Sequence, residues 1–364
     1  MDENLGLYIH IPFCKRKCDY CAFVSQCDYS LESAYITALC AEIRERKTPE
    51  IVSSVYIGGG TPSSLSRGSL SKIIECIRSN FILSQDCEIT VEANPESVSA
   101  ELCEGLAHSG VNRVSLGLQS SDDKILKNIG RIHRAQDFTR AVKLLKGVGI
   151  TNISGDVILG LPEQDAASVV RDADFLISAG VKHISAYALQ VEEGTPLFER
   201  GFKVDPDRQA DLYDAFYDRI KRSGYRRYEV SNFALPHYES RHNLKYWLRA
   251  PYLGFGVAAH SFYDGKRGYN TSSIKAYCAG ARDYKESTLS LCDEIEEYVM
   301  LSLRTENGLD LDKYRSLSGK DLFCEKAKEI ERLSDGGFIE IDGKTVKTTD
   351  KGFYVLSSII TELL

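Results

Sequence analysis

Residues 8–23 read YIHIPFCKRKCDYCAF, and this stretch decides how the rest of the sequence is interpreted. An apolar run ends at Pro12, which cannot continue a central strand. Cys14, Cys18 and Cys21 follow in one short loop with C-x-x-x-C-x-x-C spacing. Thiolates are the usual ligands of iron–sulfur clusters. Three thiolates would bind three irons of a cubane and leave the fourth iron open for chemistry, as an open position does in catalytic zinc. The spacing therefore predicts a 4Fe–4S cluster.

Zinc is the alternative interpretation of the same three cysteines. A structural zinc ion takes four protein ligands, and these often come from a second pair of cysteines or histidines. The sequence contains no second C-x-x-C pair and no H-x-x-x-H pair, but His10 or Cys27 could supply a fourth ligand. The spacing favours a cluster and leaves zinc open.

The composition predicts a protein of the cytoplasm. The chain has 364 residues, a formal net charge of −7 and 11 cysteines. We find neither an export signal nor a run of about 18 apolar residues, so we expect reduced thiols and no transmembrane segment. A net acidic chain also argues against a large nucleic-acid surface. The length suits one large domain and a smaller one.

Short apolar runs alternate with helical patterns over the first half of the chain. This alternation is typical of parallel β/α units in an α/β fold. Six units fit a closed or partly closed (β/α)6 barrel, and an open sheet is the alternative. The predicted strands are Gly6–Ile11, Ser54–Ile57, Glu88–Ala93, Arg113–Gly117, Asn152–Leu159 and His183–Leu189. The predicted helices are Leu31–Arg46, Ser69–Asn80, Ala100–His108, Asp122–Asn128, Ala135–Gly147 and Asp165–Ser178.

Polar or glycine-rich residues follow several of these strands. In a barrel, the loops after the strands carry the chemistry. The second strand ends in Gly58–Pro62, the third in Glu92–Pro95 and the fourth in Leu118–Ser120. Asp156 interrupts an apolar run, which is costly unless the carboxylate is paired, and Arg131 is a candidate partner. We expect these residues to converge with the cysteine loop on one site.

The second half of the chain has a weaker pattern. It predicts a helix at Val204–Arg222, a strand at Tyr225–Phe233 and an irregular, aromatic-rich segment at His237–Tyr263. This segment contains the sequence HNLKYW at residues 242–247. Heme iron is commonly held by a histidine, which makes His242 a candidate heme contact; ordinary packing is the alternative.

The last 70 residues or so predict a separate unit that resembles a winged helix. Asp342–Gly343 is a strong hairpin signal between two short strands. Winged helices bind nucleic acid or serve as lids, and the fold alone does not decide between these roles. The predicted elements are helices Asp293–Arg304, Leu322–Leu333 and Lys351–Leu364, with strands Gly337–Ile341 and Thr345–Thr348. The predicted domains are a barrel at 1–230, a connecting segment at 231–290 and a winged-helix-like domain at 291–364.

The ordered set of motifs resembles the radical S-adenosylmethionine (SAM) superfamily. Within it, the chain is similar to the branch of oxygen-independent coproporphyrinogen oxidases and HemW-type heme chaperones. The resemblance covers nearly the whole chain. It rests on the cysteine motif together with VYIGGGTPS, VEANP, SLGLQS, GRIHR, GDVILGLP, SAYAL, EVSNFA and HNLKYW.

This resemblance implies a 4Fe–4S cluster on the three cysteines and SAM bound to the open iron. It implies that Glu92 and Asp156 accept hydrogen bonds from the ribose or amine, and that Arg131 holds a carboxylate in its planar fork. His10 lies beside the cluster loop, where it either supports the site or only packs. The residues expected at the SAM site are Tyr8, Tyr20, Gly59, Gly60, Thr61, Glu92, Gln119, Arg131, Asp156 and Ala188.

Two departures favour the heme-chaperone branch. The oxidases have a fourth cysteine where this chain has Phe23, and a long extension before the first strand, whereas Tyr8 lies almost at the start here. HNLKYW matches the chaperones, in which the motif is tied to heme. We therefore predict a chaperone that binds heme, with His242 as the contact, and transfers it to an acceptor protein.

Other functions stay open at this point. Coproporphyrinogen oxidation by radical decarboxylation is the main alternative, so whether the protein is an enzyme is undecided. A nucleic-acid-modifying radical enzyme that uses the C-terminal unit is a weaker alternative. The expected partners are a heme acceptor and an electron donor for the cluster, and no nucleic acid.

Overall fold

Six parallel strands form the centre of the molecule in the computed structural model, which describes residues 4–281 and 283–364. All six strands predicted from the sequence are confirmed. Strands β1–β6 are Leu5–Ile11, Ile51–Gly59, Ile82–Ala93, Arg113–Gln119, Asn152–Leu159 and His183–Ala188. Helices α1–α8 are Glu32–Glu45, Ser69–Asn80, Ala100–His108, Asp123–Asn128, Ala135–Gly147, Ala166–Ala179, Pro196–Glu199 and Pro206–Lys221.

Further short strands extend both edges of this sheet. Strands β7–β12 are Arg226–Glu229, Asn232–Ala234, Tyr252–Phe255, His260–Tyr263, Lys266–Tyr269 and Lys285–Thr288, and helices α9 and α10 are Arg241–Trp247 and Ile274–Cys278. The strand order is β12-β11-β10-β9-β1-β2-β3-β4-β5-β6-β8-β7. Because β1 pairs with β9 and β6 pairs with β8, the six-strand ring is not closed.

The sheet nevertheless curves into a partial barrel. The side chains of Tyr56 on β2 and Tyr187 on β6 come close enough that the charge of ionised Tyr187 helps to raise the pKa of Tyr56, after burial and Glu92. In a flat sheet, four strand spacings would separate these two residues by about 19 Å. The partly closed form of the predicted barrel is therefore confirmed, and the open, flat alternative is not observed.

The inner face of the barrel is polar. Strands of a parallel sheet usually read as continuous apolar runs because both of their faces are buried. Here the apolar residues of each strand face outward and form the main core under the helices. The alternate positions are polar or small: Gly6, Tyr8, His10, Ser54, Tyr56, Gly58, Glu88, Thr90, Glu92, Arg113, Ser115, Gly117, Ser154, Asp156, His183, Ser185 and Tyr187. The barrel encloses a polar interior instead of the layered apolar core of a complete (β/α)8 barrel.

Helix α9 lies at the end of the barrel where the strands begin. The Nδ1 atom of His242 is 2.9 Å from Ser54 Oγ on β2. The His242 backbone N–H donates to Glu88 Oε1 on β3 at 3.0 Å. On the opposite side, Tyr228 Oη is 2.7 Å from His183 Nε2 on β6. Residues 228–247 therefore close this end, and the carboxyl ends of the strands form the open end.

The C-terminal unit has its own core. It consists of α11 (Leu291–Ser302), β13 (Leu309–Asp310), α12 (Leu311–Ser318), α13 (Leu322–Glu325), α14 (Ala327–Asp335), β14 (Ile339–Asp342), β15 (Thr345–Thr348) and α15 (Leu356–Leu363). The three strands form an antiparallel sheet in the order β13-β15-β14. The five helices, together with the hairpin of β14 and β15, confirm the predicted winged-helix-like arrangement. The unit contacts the barrel where Thr305 pairs with Glu229 of β7.

The structure differs from the sequence prediction mainly between residues 225 and 333. The strand predicted at Tyr225–Phe233 is the antiparallel pair β7 and β8, and the helix predicted at Leu322–Leu333 is interrupted at Lys326. The segment predicted to be irregular, His237–Tyr263, contains α9, β9 and β10. These elements are short, and pairing with distant strands stabilises them, so the local sequence carries little signal.

The domain boundaries at residues 230 and 290 stay predictions. Strands β9–β12 lie within the proposed connecting segment but extend the barrel sheet. Buried Glu42 of α1 anchors them: its carboxylate accepts hydrogen bonds from the Gly256 N–H at 3.0 Å and Asn270 Nδ2 at 2.9 Å. Within the described part of the chain, no helix is long and apolar enough to cross a membrane.

Candidate functional site

The cysteine loop lies at the open end of the barrel and is fixed at several points. The Cys14 N–H donates to Gln26 O at 3.0 Å, and the Gln26 N–H donates to Pro12 O at 2.9 Å, so the two ends of the loop are joined. The Asp19 N–H donates to Ile129 O at 3.1 Å. His10 Nε2 is 2.9 Å from Val24 O. The loop is therefore attached to β1 and to the segment after α4.

Two of the three thiols accept hydrogen bonds from neighbouring loops. Thr61 Oγ1 donates to Cys14 Sγ at 3.5 Å. Arg131 Nη1 donates to Cys18 Sγ at 3.3 Å. Cys14 is buried, whereas Cys18 and Cys21 are half-buried and face the open end. Burial, reinforced by the neighbouring thiols, raises the pKa values of Cys14 and Cys21.

The donor set of the loop fits an iron–sulfur cluster, because thiolates are the usual ligands of such clusters. The glycine loop limits the space beside Cys14. A Cβ on Gly60 would lie only 3.0 Å from Cys14 Sγ and 2.7 Å from Phe13 O, so only glycine leaves room beside this thiol.

The glycine loop after β2 is held against the carboxylate of Glu92. The Gly59 N–H donates to Glu92 Oε2 at 2.9 Å, and Tyr56 Oη donates to Oε1 at 2.7 Å. Gly59 has φ +107°, a conformation that side chains disfavour. Burial raises the pKa of Glu92 to about 7 despite these two hydrogen bonds. The Glu92 carboxyl group can therefore exchange a proton near neutral pH.

Asp156 lies in the same polar interior, on β5. Ser115 Oγ donates to its carboxylate at 2.9 Å, and Ser154 Oγ donates at 3.0 Å. Burial raises the pKa of Asp156, and these hydrogen bonds oppose the rise. The predicted Arg131 partner is not observed, because Arg131 bonds Cys18 and the Gly117 carbonyl instead.

The other residues predicted for the site also lie around the open end or the interior. Tyr8 Oη is 3.0 Å from His10 Nδ1, which places both side chains on the inner face of β1. Gln119 ends β4 with φ +66°, and Ala188 is exposed at the end of β6. Tyr20 packs against an apolar cluster that includes Ile129 and Leu197.

His242 lies at the opposite end of the barrel from the cysteines. Its side chain is fully buried, and its Nε2 is 2.8 Å from Tyr246 Oη, while Nδ1 contacts Ser54. Burial lowers the pKa of His242 to about 3, so the ring is neutral. Its ring stacks on Tyr56 with centroids 5.3 Å apart, and Tyr56 in turn contacts Glu92. HNLKYW is thus linked to the predicted SAM site through one tyrosine.

Sequence reasoning did not assign roles to Asn94 and Ser115. Asn94 Nδ2 donates to Thr61 Oγ1 at 3.0 Å, and Asn94 Oδ1 accepts from Arg131 Nη2 at 2.7 Å. Both residues lie on motifs that the sequence had marked, VEANP and SLGLQS. The polar-and-apolar alternation within the strands was the signal that could have identified Ser115 as facing inward.

Comparison with known proteins agrees with this fold and site, which together define a radical SAM protein. The family model of the radical SAM superfamily matches residues 8–176, and that of the HemN C-terminal domain matches residues 289–355. The solved structure of coproporphyrinogen III oxidase HemN from Escherichia coli has a TM-score of 0.86 and 23% identity, and the match covers 99% of this chain and 90% of that chain. That likeness shows the fold.

Similar proteins of known name indicate the family within the radical SAM superfamily. The heme chaperone HemW of Lactococcus lactis is 35% identical, with 98% of this chain and 96% of the relative covered. Those of Bacillus subtilis and Escherichia coli are 34% and 35% identical, with at least 95% of both chains covered in each case. The chain belongs to the HemW family. Membership of the radical SAM superfamily implies a 4Fe–4S cluster and SAM as cofactors, and the cysteine loop fits them.

Proposed function

We propose that this protein is a heme chaperone that binds heme and transfers it to an acceptor protein. The observation that carries the proposal is the near-full-length similarity to relatives named heme chaperone HemW, at up to 35% identity. Phe23 supports it, because the related oxidases are expected to have a cysteine at this position. We infer a cytoplasmic location, an acceptor protein and an electron donor as partners.

Different residues at the open end of the barrel would bind the cluster and SAM. Cys14, Cys18 and Cys21 bind the cluster, which together with SAM supplies one-electron chemistry. The Gly59–Gly60 backbone lets SAM approach closely, since no Cβ stands in the way. The SAM contacts that we propose are those predicted from the sequence: Tyr8, Tyr20, Gly59, Gly60, Thr61, Glu92, Gln119, Arg131, Asp156 and Ala188.

Glu92 is placed to bind or release a proton beside the cofactor. Its pKa of about 7 means that the protonated and ionised forms are both populated at neutral pH. The ionised form accepts hydrogen bonds from Tyr56 and from the Gly59 N–H, so it holds the glycine loop in place. Either form can accept a hydrogen bond from a ribose hydroxyl.

Direct contact between heme iron and His242 stays a prediction. In this conformation both ring nitrogens of His242 have hydrogen-bond partners inside the barrel. Coordination of iron would require the bond to Ser54 or the bond to Tyr246 to break. Heme binding at this position therefore requires movement of α9.

The test is a titration of the anaerobically reconstituted protein with hemin, followed by the Soret band. The wild type is expected to bind about one heme per chain. His242→Ala removes the ring and is expected to weaken binding, whereas Tyr246→Phe releases Nε2 and is expected to preserve or strengthen it. If both variants bind as the wild type does, His242 is not the contact, although the chaperone function stands.

Two outcomes would contradict the proposed function itself. The first is the absence of a Soret band at every ratio of hemin to protein. The second is steady formation of vinyl product from coproporphyrinogen with SAM and a reductant, which would assign the protein to the oxidases. Transfer of bound heme to an apo-hemoprotein, followed by loss of the band from this chain, would support the proposal.

A further inference from the structure

A single amide side chain connects the donors that contact two of the three cysteine sulfurs. Asn94 Nδ2 donates to Thr61 Oγ1 at 3.0 Å, and Thr61 Oγ1 donates to Cys14 Sγ at 3.5 Å. Asn94 Oδ1 accepts from Arg131 Nη2 at 2.7 Å, and Arg131 Nη1 donates to Cys18 Sγ at 3.3 Å. The network runs from one thiol to the other through Asn94.

The position of Asn94 is itself fixed. Its backbone N–H donates to Ser63 Oγ at 3.2 Å, and its carbonyl accepts from Ser97 Oγ at 2.7 Å. Pro95 follows it and begins a short 3-10 helix at the end of β3. One donor and one acceptor bond on the amide determine which way the group is oriented. The amide therefore holds both Thr61 and Arg131 in the orientation that points their donors at sulfur.

We propose that Asn94 is a positioning residue that sets the reduction potential of the cluster. Hydrogen bonds to the sulfurs are one of the factors that determine the potential of an iron–sulfur cluster. Reduction adds negative charge, which donors at the sulfurs stabilise, so aligned donors raise the potential. Neighbours that orient the groups contacting a metal ligand tune the metal in the same way.

This inference rests on the cluster being bound by the three cysteines and is independent of heme transfer. The experiment is a redox titration of the reconstituted protein without SAM, followed by electron paramagnetic resonance, with iron and sulfide counted first. Asn94→Ala removes one orienting hydrogen bond from each donor, although Arg131 keeps its bond to the Gly117 carbonyl, and it is expected to shift the midpoint potential to a more negative value. Thr61→Val removes only the donor to Cys14, and a smaller shift in the same direction is expected.

Two controls separate this role from simple support of the fold. Thr61→Ser retains the hydroxyl and is expected to keep the wild-type potential. Asn112 is an exposed asparagine whose side chain bonds the β3 backbone at Ile89 and Cys87. Asn112→Ala is expected to destabilise the fold without moving the potential.

The midpoint potential of the cluster tests the role of Asn94, and the result does not depend on the hemin titration. A wild-type midpoint in Asn94→Ala with full iron and sulfide overturns the inference. If Asn94→Ala binds no cluster, the midpoint potential of Thr61→Val is the test. A wild-type midpoint potential in Thr61→Val then overturns the inference. A shift in Asn112→Ala as large as that in Asn94→Ala would also overturn it, because the effect would then reflect destabilisation.

Discussion

Burial raises the pKa of Glu92 to about 7, and it raises that of Glu229, which is outside the predicted site, to about 7 as well. A carboxyl group with a raised pKa in the folded state holds its proton more tightly there than in the unfolded chain. Its contribution to stability is complete below the unfolded value of about 4.3 and is lost as pH rises through about 7. The free energy of unfolding should therefore fall over this range.

Glu92→Gln is expected to make this fall less steep, because the amide does not titrate. The measurement is urea denaturation of the cluster-free protein at several pH values between 4.5 and about 8. Glu340→Gln, at an exposed position of the C-terminal hairpin, is the matched control and should leave the slope unchanged. Identical slopes in the wild type and in Glu92→Gln would contradict the pKa argument.

Adding a methyl group at Gly60 should disturb the packing of the cysteine loop. A Cβ there would lie 2.7 Å from Phe13 O, 2.8 Å from Ile11 O and 3.0 Å from Cys14 Sγ. Gly60→Ala is expected to destabilise the fold by about 1–3 kcal/mol and to lower the iron and sulfide content after reconstitution. Gly105→Ala, at a helical position with open space, should stabilise by about 0.5–1 kcal/mol. Full cluster content in Gly60→Ala would refute this.

At the scale of single residues, the sequence nominated Cys14, Cys18 and Cys21 as cluster ligands, which stay a prediction, but it did not indicate the hydrogen-bond network around them. Cysteine spacing is a local signal, and glycine triplets and strand-end carboxylates are also local. Asn94 joins Thr61 to Arg131, and these three residues lie on different loops. No local pattern in the sequence brings them together, so only the folded chain shows the connection.

At the scale of elements, α9 depends on its hydrogen bonds inside the barrel. Ser54 and Ser53 are adjacent and buried, but only Ser54 Oγ has a partner, His242; the structure shows no hydrogen-bond partner for Ser53 Oγ. Ser54→Ala is expected to cost about 1–3 kcal/mol, because it leaves a buried nitrogen unsatisfied. Ser53→Ala should be neutral or stabilising. Urea denaturation of both variants tests this, and equal losses would contradict it.

The strands and helices in the first half of the chain were predictable from the sequence, whereas most of those in the second half were not. Each strand from β1 to β6 is followed by a helix with an apolar face, and this pattern repeats within about 40 residues. Strands β9–β12 have four residues each, and β9 pairs with β1, which lies about 250 residues away in the chain. Four residues are too few to reveal a strand from the sequence without its distant partner.

At the scale of the whole molecule, Arg227 connects the barrel to the C-terminal unit. Its guanidinium lies 4.4 Å from the Tyr217 ring centroid and 4.5 Å from that of Phe353, and it pairs with Asp350 at 3.4 Å. Arg227→Ala is expected to split thermal unfolding into two transitions, since the C-terminal unit has its own core. Calorimetry tests this. A control is Arg222→Ala at an exposed position, and an unchanged single transition in Arg227→Ala would show that other contacts couple the two units.

Residues 228–247 close the end of the barrel where the strands begin, so while α9 keeps this position a small molecule reaches the polar interior only beside the cysteines. It must leave by the same route. Cofactor exchange therefore takes place on one side of the molecule. A protein docked over Phe23, which is 66% exposed at that rim, would block the entry of SAM for as long as it stayed.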